Sequence, residues 1–419
     1  MTTLRFVPSV ALCVLGASAA HAQPDRVAWL RANAVALSDS ATDASLASIR
    51  RALAGVDVVF LGESTHGDGA GHLARVRLVR YLHEQLGFDV IAWEAGLREA
   101  VAFDSLLGTA APVGNITPIA LYPWWAPSAE LRPMLEYVRR THRTSRPLTF
   151  AGFDLQRSGP VDSLGAYVRR AFAKAGDTAQ IPASLADSAE GVLLEAIPDL
   201  RRRLASRREQ FTRALGERET SLLARVLDNL VAYREQQRLA RDTSAAGRVA
   251  GYNLREQRNA DNVLWLLRER HRGRKIIVWS HNVHAVSTRF TARFDGVGND
   301  RATAPRDATA RIVEDSLGAR SYAIAIVSYG GTWGFPGGEQ STLPTAPAGS
   351  LTAMLHEAGF ARAFFDVRGN GRANPPWLRT PLTGTLNAQS PARYPLVWPD
   401  VVDGMLYIDR MTPSTIAPE

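Results

Sequence analysis

The sequence predicts an α/β fold, with a mostly parallel central sheet flanked by helices and a helical cap insertion over the C-terminal strand ends. Three observations predict it. Short valine- and isoleucine-rich runs alternate with amphipathic helical patterns, as in successive strand–helix–strand units. One long central stretch carries helical patterning and no strand signal. Several apolar runs stop on a carboxylate or a histidine, although a strand covered on both faces should be apolar throughout.

The chain opens with a secretory pattern. Arg5 supplies a positive start, an apolar stretch follows, and Ala20-His21-Ala22 forms a small-x-small cleavage site. The expectation is a signal peptide over 1–22, a mature protein starting near Gln23, and a periplasmic or secreted location. No later segment is apolar for long enough to cross a membrane. The single cysteine, Cys13, lies inside this leader, so the mature chain would have neither disulfides nor thiolate metal ligands.

The run 56–63, bounded by Gly55 and Gly62, reads as a buried strand. Residues 72–86 put Leu73, Val76, Val79, Leu82 and Leu86 on one helical stripe, ended by Gly87. A second strand follows at 88–95, completing a unit of βαβ size. Further strands are expected at 147–154, 274–282, 321–330, 362–368 and 404–410. Residues 160–250 form the helical insertion, between two parts of the core at 23–159 and 251–419. Residues 296–310 and the Pro/Thr/Gly-rich stretch 331–350 read as loops.

The formal net charge is +8, and of 49 basic residues only Lys174 and Lys275 are lysine. The arginines are dispersed among acids without an aromatic-interleaved basic motif, which excludes a nucleic-acid-binding module. The expected partner is a small-molecule ester met by a monomer. No cofactor is called for.

Ligands of open parallel sheets bind outside the carboxyl ends of the strands. Glu63 and His66 stand at the first such end, Glu94 at the second, Asp154 at the third, and His281 with His284 at the fourth. Ser328 and Tyr329 stand at the fifth. Gly62 and Gly67 are expected to allow the turn that brings His66 back over the sheet edge. Arg255 precedes the histidine strand on a helix. Trp124 and Trp125 would supply the apolar wall that ligand pockets need; Asp154 and Tyr329 are further substrate-binding candidates. His72, His83, His142, His271 and His356 fall in helical patterns and read as structural. Ser64 resembles a nucleophile elbow only in part, because His66 replaces its last glycine. An imidazole oriented by Glu63 suits general-base activation of water.

At these residues the chain resembles the erythromycin esterase family. The carrying motifs are GESTHG (62–67), Arg75 and Arg77, LGFDVIAWEA (86–95), the run 124–143, FAGFDL (150–155), YNLREQRNADN (252–262), VWSHNVH (278–284) and DGMLYID (403–409). The resemblance implies ester hydrolysis by activated water, on a macrolide lactone in the best-known members, and an α/β core with a helical cap. It puts Glu63, His66, Glu94, Arg255, His281 and His284 at the family's polar site positions. Two departures stand out: Asp68-Gly69-Ala70-Gly71 replaces a common Thr-x-Glu-Phe run, and the leader is absent from the intracellular resistance enzymes. Two other readings use the same cluster: a metal-dependent hydrolase holding a divalent ion on these Glu and His side chains, and an exported binding protein without turnover.

Overall fold

The computed structural model describes residues 13–37, 43–159, 162–177, 190–287, 306–369 and 372–418. The start of the leader and most of the loop expected at 296–310 lie outside them. The strands are β1 (Val35–Ala36), β2 (Val58–Leu61), β3 (Phe88–Gly96), β4 (Thr149–Asp154), β5 (Lys275–Trp279), β6 (Ser321–Gly334), β7 (Gln340–Leu343), β8 (Arg362–Asp366), β9 (Leu382–Gly384), β10 (Tyr394–Leu396) and β11 (Gly404–Met411). The helices are α1 (Cys13–Asn33), α2 (Asp43–Ala52), α3 (Gly69–Leu86), α4 (Leu97–Leu107), α5 (Val113–Ile116), α6 (Arg132–Thr141), α7 (Asp162–Lys174), α8 (Glu190–Ser206), α9 (Arg208–Leu215), α10 (Glu217–Ala240), α11 (Ala245–Trp265), α12 (Thr309–Leu317), α13 (Leu351–Glu357) and α14 (Trp398–Val401).

All seven expected strands form and join one nine-stranded sheet of order β1-β8-β11-β6-β2-β5-β3-β4, with β7 paired to β6. The run from β11 to β4 is parallel, whereas β8 is antiparallel to both β11 and β1. The stretch expected as a loop at 331–350 differs in part. β6 continues to Gly334 and β7 folds back on it, because Arg410 and Met411 of β11 still offer a ladder there.

The strand period of two sorts the core into layers. Val59, Leu61, Ile91, Trp93, Ile277 and Trp279 face α3 and α6. Val58, Phe60, Val90, Ala92, Ile276 and Val278 face the opposite way, onto α7–α12. α3 follows β2 on the first face and α12 follows β5 on the second. The chain therefore leaves two adjacent parallel strands toward opposite faces, which opens the crevice of a topological switch point between β2 and β5.

Most of the 160–250 segment lies against the second face. Phe172, Leu200, Phe211, Leu223 and Leu227 join the sheet residues in one cluster. It is at α11 that this helical layer meets the strand ends. There Asn259 accepts the backbone N–H of Leu155 at 2.7 Å, and the Asn262 amide donates to the Phe153 carbonyl at 2.8 Å.

Leu227 is fully buried in that layer. Leu227→Ala is expected to lower the stability of the whole cooperative unit by about 2–5 kcal/mol. Urea unfolding followed by tryptophan fluorescence checks this, since all nine tryptophans of the chain lie outside 160–250. A tryptophan transition with an unmoved midpoint would show that the layer unfolds separately.

Candidate active site

β2 is apolar to its last residue, and the chain then turns polar at Glu63, which is almost fully buried. A buried carboxylate needs partners. Glu63 Oε2 meets the Arg75 guanidinium from α3, and Oε1 meets His66 Nδ1. The two bonds hold His66 at the mouth of the crevice, its side chain 16% exposed. Burial works against the Glu63 charge, but Arg75 and His66 overcome it and hold the carboxyl down at about 2. Arg75 is itself fully buried, with its guanidinium 3.6 Å from the centre of the Trp279 ring.

His72, expected to be structural, is part of this support. It is fully buried, its Nε2 bonds the His66 carbonyl at 3.0 Å and its Nδ1 lies 2.8 Å from Arg75 Nη2. Burial and Arg75 push it down to about 4, so it is neutral. Helical spacing from Arg75 (i, i+3) was the signal that could have found it.

Gly62 and Gly67 do not act through left-handed backbone, since neither has a positive φ. Their role is close approach. A Cβ at Gly62 would collide with the Asn282 side-chain oxygen, and one at Gly67 would lie 2.7 Å from the Gly334 carbonyl carbon. Asn282 fills the gap beyond the end of β2. Its amide donates to Ile326 and Leu386 carbonyls at 2.7 and 2.9 Å, and its oxygen accepts from Ile326 N–H at 3.1 Å.

The second half of the site is built around Glu94 at the end of β3. One oxygen accepts the His281 backbone N–H at 2.9 Å; the other lies 3.0 Å from Arg255 Nη2 and 3.3 Å from His284 Nε2. His284 Nδ1 pairs at 2.7 Å with Glu256, a residue sequence reasoning passed over between Arg255 and Arg258. Glu256, Asn259 and Asn262 recur at helical spacing on α11 and are all fully buried. That polar stripe was the missed signal. Asp154 is not open to a substrate, because both its oxygens are taken by Arg255, at 3.0 and 2.7 Å.

The two strand-five histidines differ in charge. Burial disfavours a charged His284, yet Glu256 and Glu94 raise it to about 10. His281 is driven down to about 3 by burial and by neighbouring His66. Its Nδ1 accepts the Val283 N–H at 3.2 Å, which assigns the proton to Nε2, a buried atom without a partner among the described residues. The His281 and His66 rings stand 5.3 Å apart, centre to centre.

Trp124 and Trp125 do reach the site. Trp124 stacks on His66 at 5.6 Å and Trp125 meets its edge at 4.6 Å. Tyr122 stacks behind Trp124 at 4.6 Å. Tyr329 is elsewhere: it stacks on His356 of α13 at 4.0 Å, below Arg410. It shares the β6 parity of Ala325 and Val327, whose neighbours are on the α13 side.

A histidine aligned by a carboxylate, a neutral histidine facing it, and an aromatic wall make a cluster suited to proton transfer. Comparison with known proteins decides the family. The erythromycin esterase family profile matches residues 83–411. The chain belongs to the erythromycin esterase family. It is 24% identical to a putative hydrolase of Bacillus subtilis (strain 168), YbfO, over 99% of this chain and 98% of that one. It is 23% identical to erythromycin esterase type II of Escherichia coli, over 68% and 71% of the two chains. A solved erythromycin esterase variant in its open conformation matches with a TM-score of 0.69 at 16% identity, covering 90% of this chain and 96% of that one. Membership of the erythromycin esterase family makes the chain a hydrolase. The matched range includes Glu94, Arg255, His281 and His284, whereas Glu63 and His66 stand before it.

Because its native pKa lies above the ordinary imidazole value, His284 contributes stability that is fully present below pH 6.5 and lost as pH rises through about 10. Glu256→Gln keeps the acceptor for Thr309 but removes one of the two charges that hold the proton. The alkaline loss of stability is expected to move to lower pH in this variant. Urea midpoints of both proteins across that range check it; superimposable profiles would mean that His284 is not charged.

Proposed function

We propose that the protein hydrolyses an ester by general-base activation of water at His66. The observation that carries this reading is the commitment of His66 Nδ1 to Glu63. Among the described residues Nε2 makes no hydrogen bond, so it is the nitrogen available to a water. His66 Nε2 takes a proton from water as the oxygen attacks the ester carbonyl carbon, and the carbonyl π electrons move to its oxygen. The Nε2–H of neutral His281 donates a hydrogen bond to that oxyanion. A neutral imidazole is too weak an acid to do more. The His66 imidazolium, balanced by Glu63, then protonates the alkoxide as its bond to carbon breaks. Glu94 holds the His281 backbone, and Arg255 and His284 keep Glu94 charged: burial opposes the charge, and the two cations hold the carboxyl well below the usual range.

Ser64 has no part in this scheme. Its hydroxyl is buried and has no hydrogen-bond partner among the described residues, so none of them stands as a base to activate it. The metal-dependent reading has less support. Both Glu63 oxygens and both Glu94 oxygens are engaged by cations or N–H groups. Among the described residues no three His, Cys, Asp or Glu side chains converge as ligands. A macrolide lactone is one candidate ester; the Escherichia coli relative is named for erythromycin. We place the protein outside the cytoplasm on the strength of its leader. A chain starting at Gln23 would keep the buried Val27 and Leu30 of α1 and the Gln23–Glu357 bond. Among the described residues no helix is long and apolar enough to cross a membrane.

His66→Ala is expected to lower kcat/KM on a cleaved ester by 10²–10⁴-fold, roughly the usual cost of losing a general base. His281→Ala should lose about 10²–10³-fold, mainly in kcat, as an oxyanion donor does. Ser64→Ala should stay within about threefold of wild type, the opposite of its effect in an acyl-enzyme route. A panel of chromogenic esters and macrolides, with and without chelator, provides the assay. A dead Ser64→Ala or an active His66→Ala overturns water activation, chelator-sensitive turnover favours the metal reading, and binding without turnover of any ester favours a non-catalytic protein.

A further inference from the structure

The segment after β11 does not leave the molecule. Residues 412–417 run across two elements of the site, the turn that leads from His66 into the first residue of α3, Gly69, and the Tyr122–Glu130 loop. To the turn, the Thr412 carbonyl accepts Gly69 N–H at 2.7 Å and Ser414 N–H donates to the Gly67 carbonyl at 3.1 Å. To the loop, the Thr415 carbonyl accepts Ala129 N–H at 2.8 Å and Ala417 N–H donates to the Pro127 carbonyl at 2.8 Å. Ser414 N–H also lies 3.0 Å from the Gly334 carbonyl at the tip of β6. Among the described residues no backbone hydrogen bond joins turn and loop directly; the segment makes bonds to both.

One side chain gathers these contacts. Glu130 Oε2 accepts from the Ser414 hydroxyl at 2.8 Å, the Ser128 hydroxyl at 3.1 Å and the Thr415 N–H at 3.0 Å. Its Oε1 accepts the Thr415 hydroxyl at 2.6 Å. The buried Ser128 and Ser414 hydroxyls meet at 2.8 Å. Gly69 fits this crossing, since a Cβ there would lie 2.7 Å from the Pro413 carbonyl oxygen and 3.3 Å from the Glu130 carboxyl carbon. The loop so held is the one whose inner side presents Trp124 and Trp125 to the His66 ring.

We infer that residues 412–417 form a clasp that seats the Trp124–Trp125 wall against His66, with Glu130 as its positioning residue. The inference rests on the proposed role of His66 for its effect on hydrolysis, but not for its effect on the shielding of that ring. The loop has no ladder or helix of its own at Trp124, so its position follows from bonds to neighbours, and such segments open at lower cost than the core. With the clasp loosened, the indoles leave the imidazole, water reaches it freely, and the substrate loses one wall of its pocket.

The test compares wild type with Glu130→Ala and Glu130→Gln; the amide keeps an acceptor for Thr415 and serves as the conservative rescue. Diethyl pyrocarbonate labels accessible imidazoles, and peptide mapping reads each histidine separately. In Glu130→Ala, His66 is expected to label about 3–10-fold faster, in line with local opening. His83, buried on α3 and bonded to Tyr137 at 2.6 Å, should stay protected. Glu130→Gln should label nearly as wild type. On a cleaved ester, Glu130→Ala should raise KM and lower kcat/KM about 10–100-fold, the scale of a small misplacement of reacting groups. Thr415→Val, which removes only the 2.6 Å bond, is the milder variant should Glu130→Ala not fold. Unchanged His66 labelling in the folded variants, or His83 labelling that rises in step with it, overturns the clasp. Faster His66 labelling with a fully active His66→Ala would leave the clasp standing and remove the base assignment instead.

Discussion

The site depends on one buried ion pair, Arg75 with Glu63. Taking both charges out of water is costly, and the structure recovers that cost only through geometry. The guanidinium lies over Trp279, which stacks on Trp93 at 4.4 Å, so α3 is fixed to the sheet floor by the same group that neutralises the carboxylate. The carboxylate in turn fixes His66 through its other oxygen. Helix docking, the polar end of β2 and the placement of His66 are thus consequences of a single contact. Removing either partner would leave an uncompensated charge in the core, where pairing is the only inexpensive solution.

The same arrangement recurs across the crevice with a different result. Glu94, like Glu63, ends a strand and is held charged by an arginine, here Arg255 from α11. Three imidazoles of one intrinsic chemistry are thereby given different tasks. His284 sits between two carboxylates and is charged, so it serves to hold Glu94. His281, buried beside His66, is neutral and has an N–H without a partner among the described residues. His66 is aligned by Glu63 at the water-accessible mouth. Pairs of groups whose surroundings separate their protonation states mark the division of labour in hydrolytic sites. The aromatic wall adds the low-polarity side that such a pocket needs.

Several parts of this design were legible in the linear sequence because they are local. Alternation of apolar runs with helical stripes fixes the strands, and the seven runs read as strands are strands. A carboxylate or a histidine at the end of an apolar run is equally local, which is why Glu63, Glu94, His66, His281 and His284 stand out. Less legible were partners recruited from afar. Glu256 and His72 act by holding another side chain, and the local helical spacing they show, His72 with Arg75 and Glu256 with Asn259 and Asn262, does not name the distant group each one holds. Asp154 was visible as a strand-end acid, but its partner Arg255, 101 positions away, decides that it supports rather than binds.

The sequence by itself determined the α/β class, the strand ends that carry polar residues, and the family. It did so because hydrophobic period and strand termination are encoded within a few residues. Tertiary structure alone decided the rest. The β2/β5 crevice exists because α3 and α12 leave toward opposite faces. Gly62 is required by Asn282, a side chain 220 positions distant, and not by backbone freedom. Tyr329 faces α13 because one-residue parity along β6 turns it from the crevice. Above all, His281 and His284, three residues apart on one turn, differ in charge, one neutral and one cationic, since protonation follows burial and neighbouring charge in three dimensions and not position along the chain.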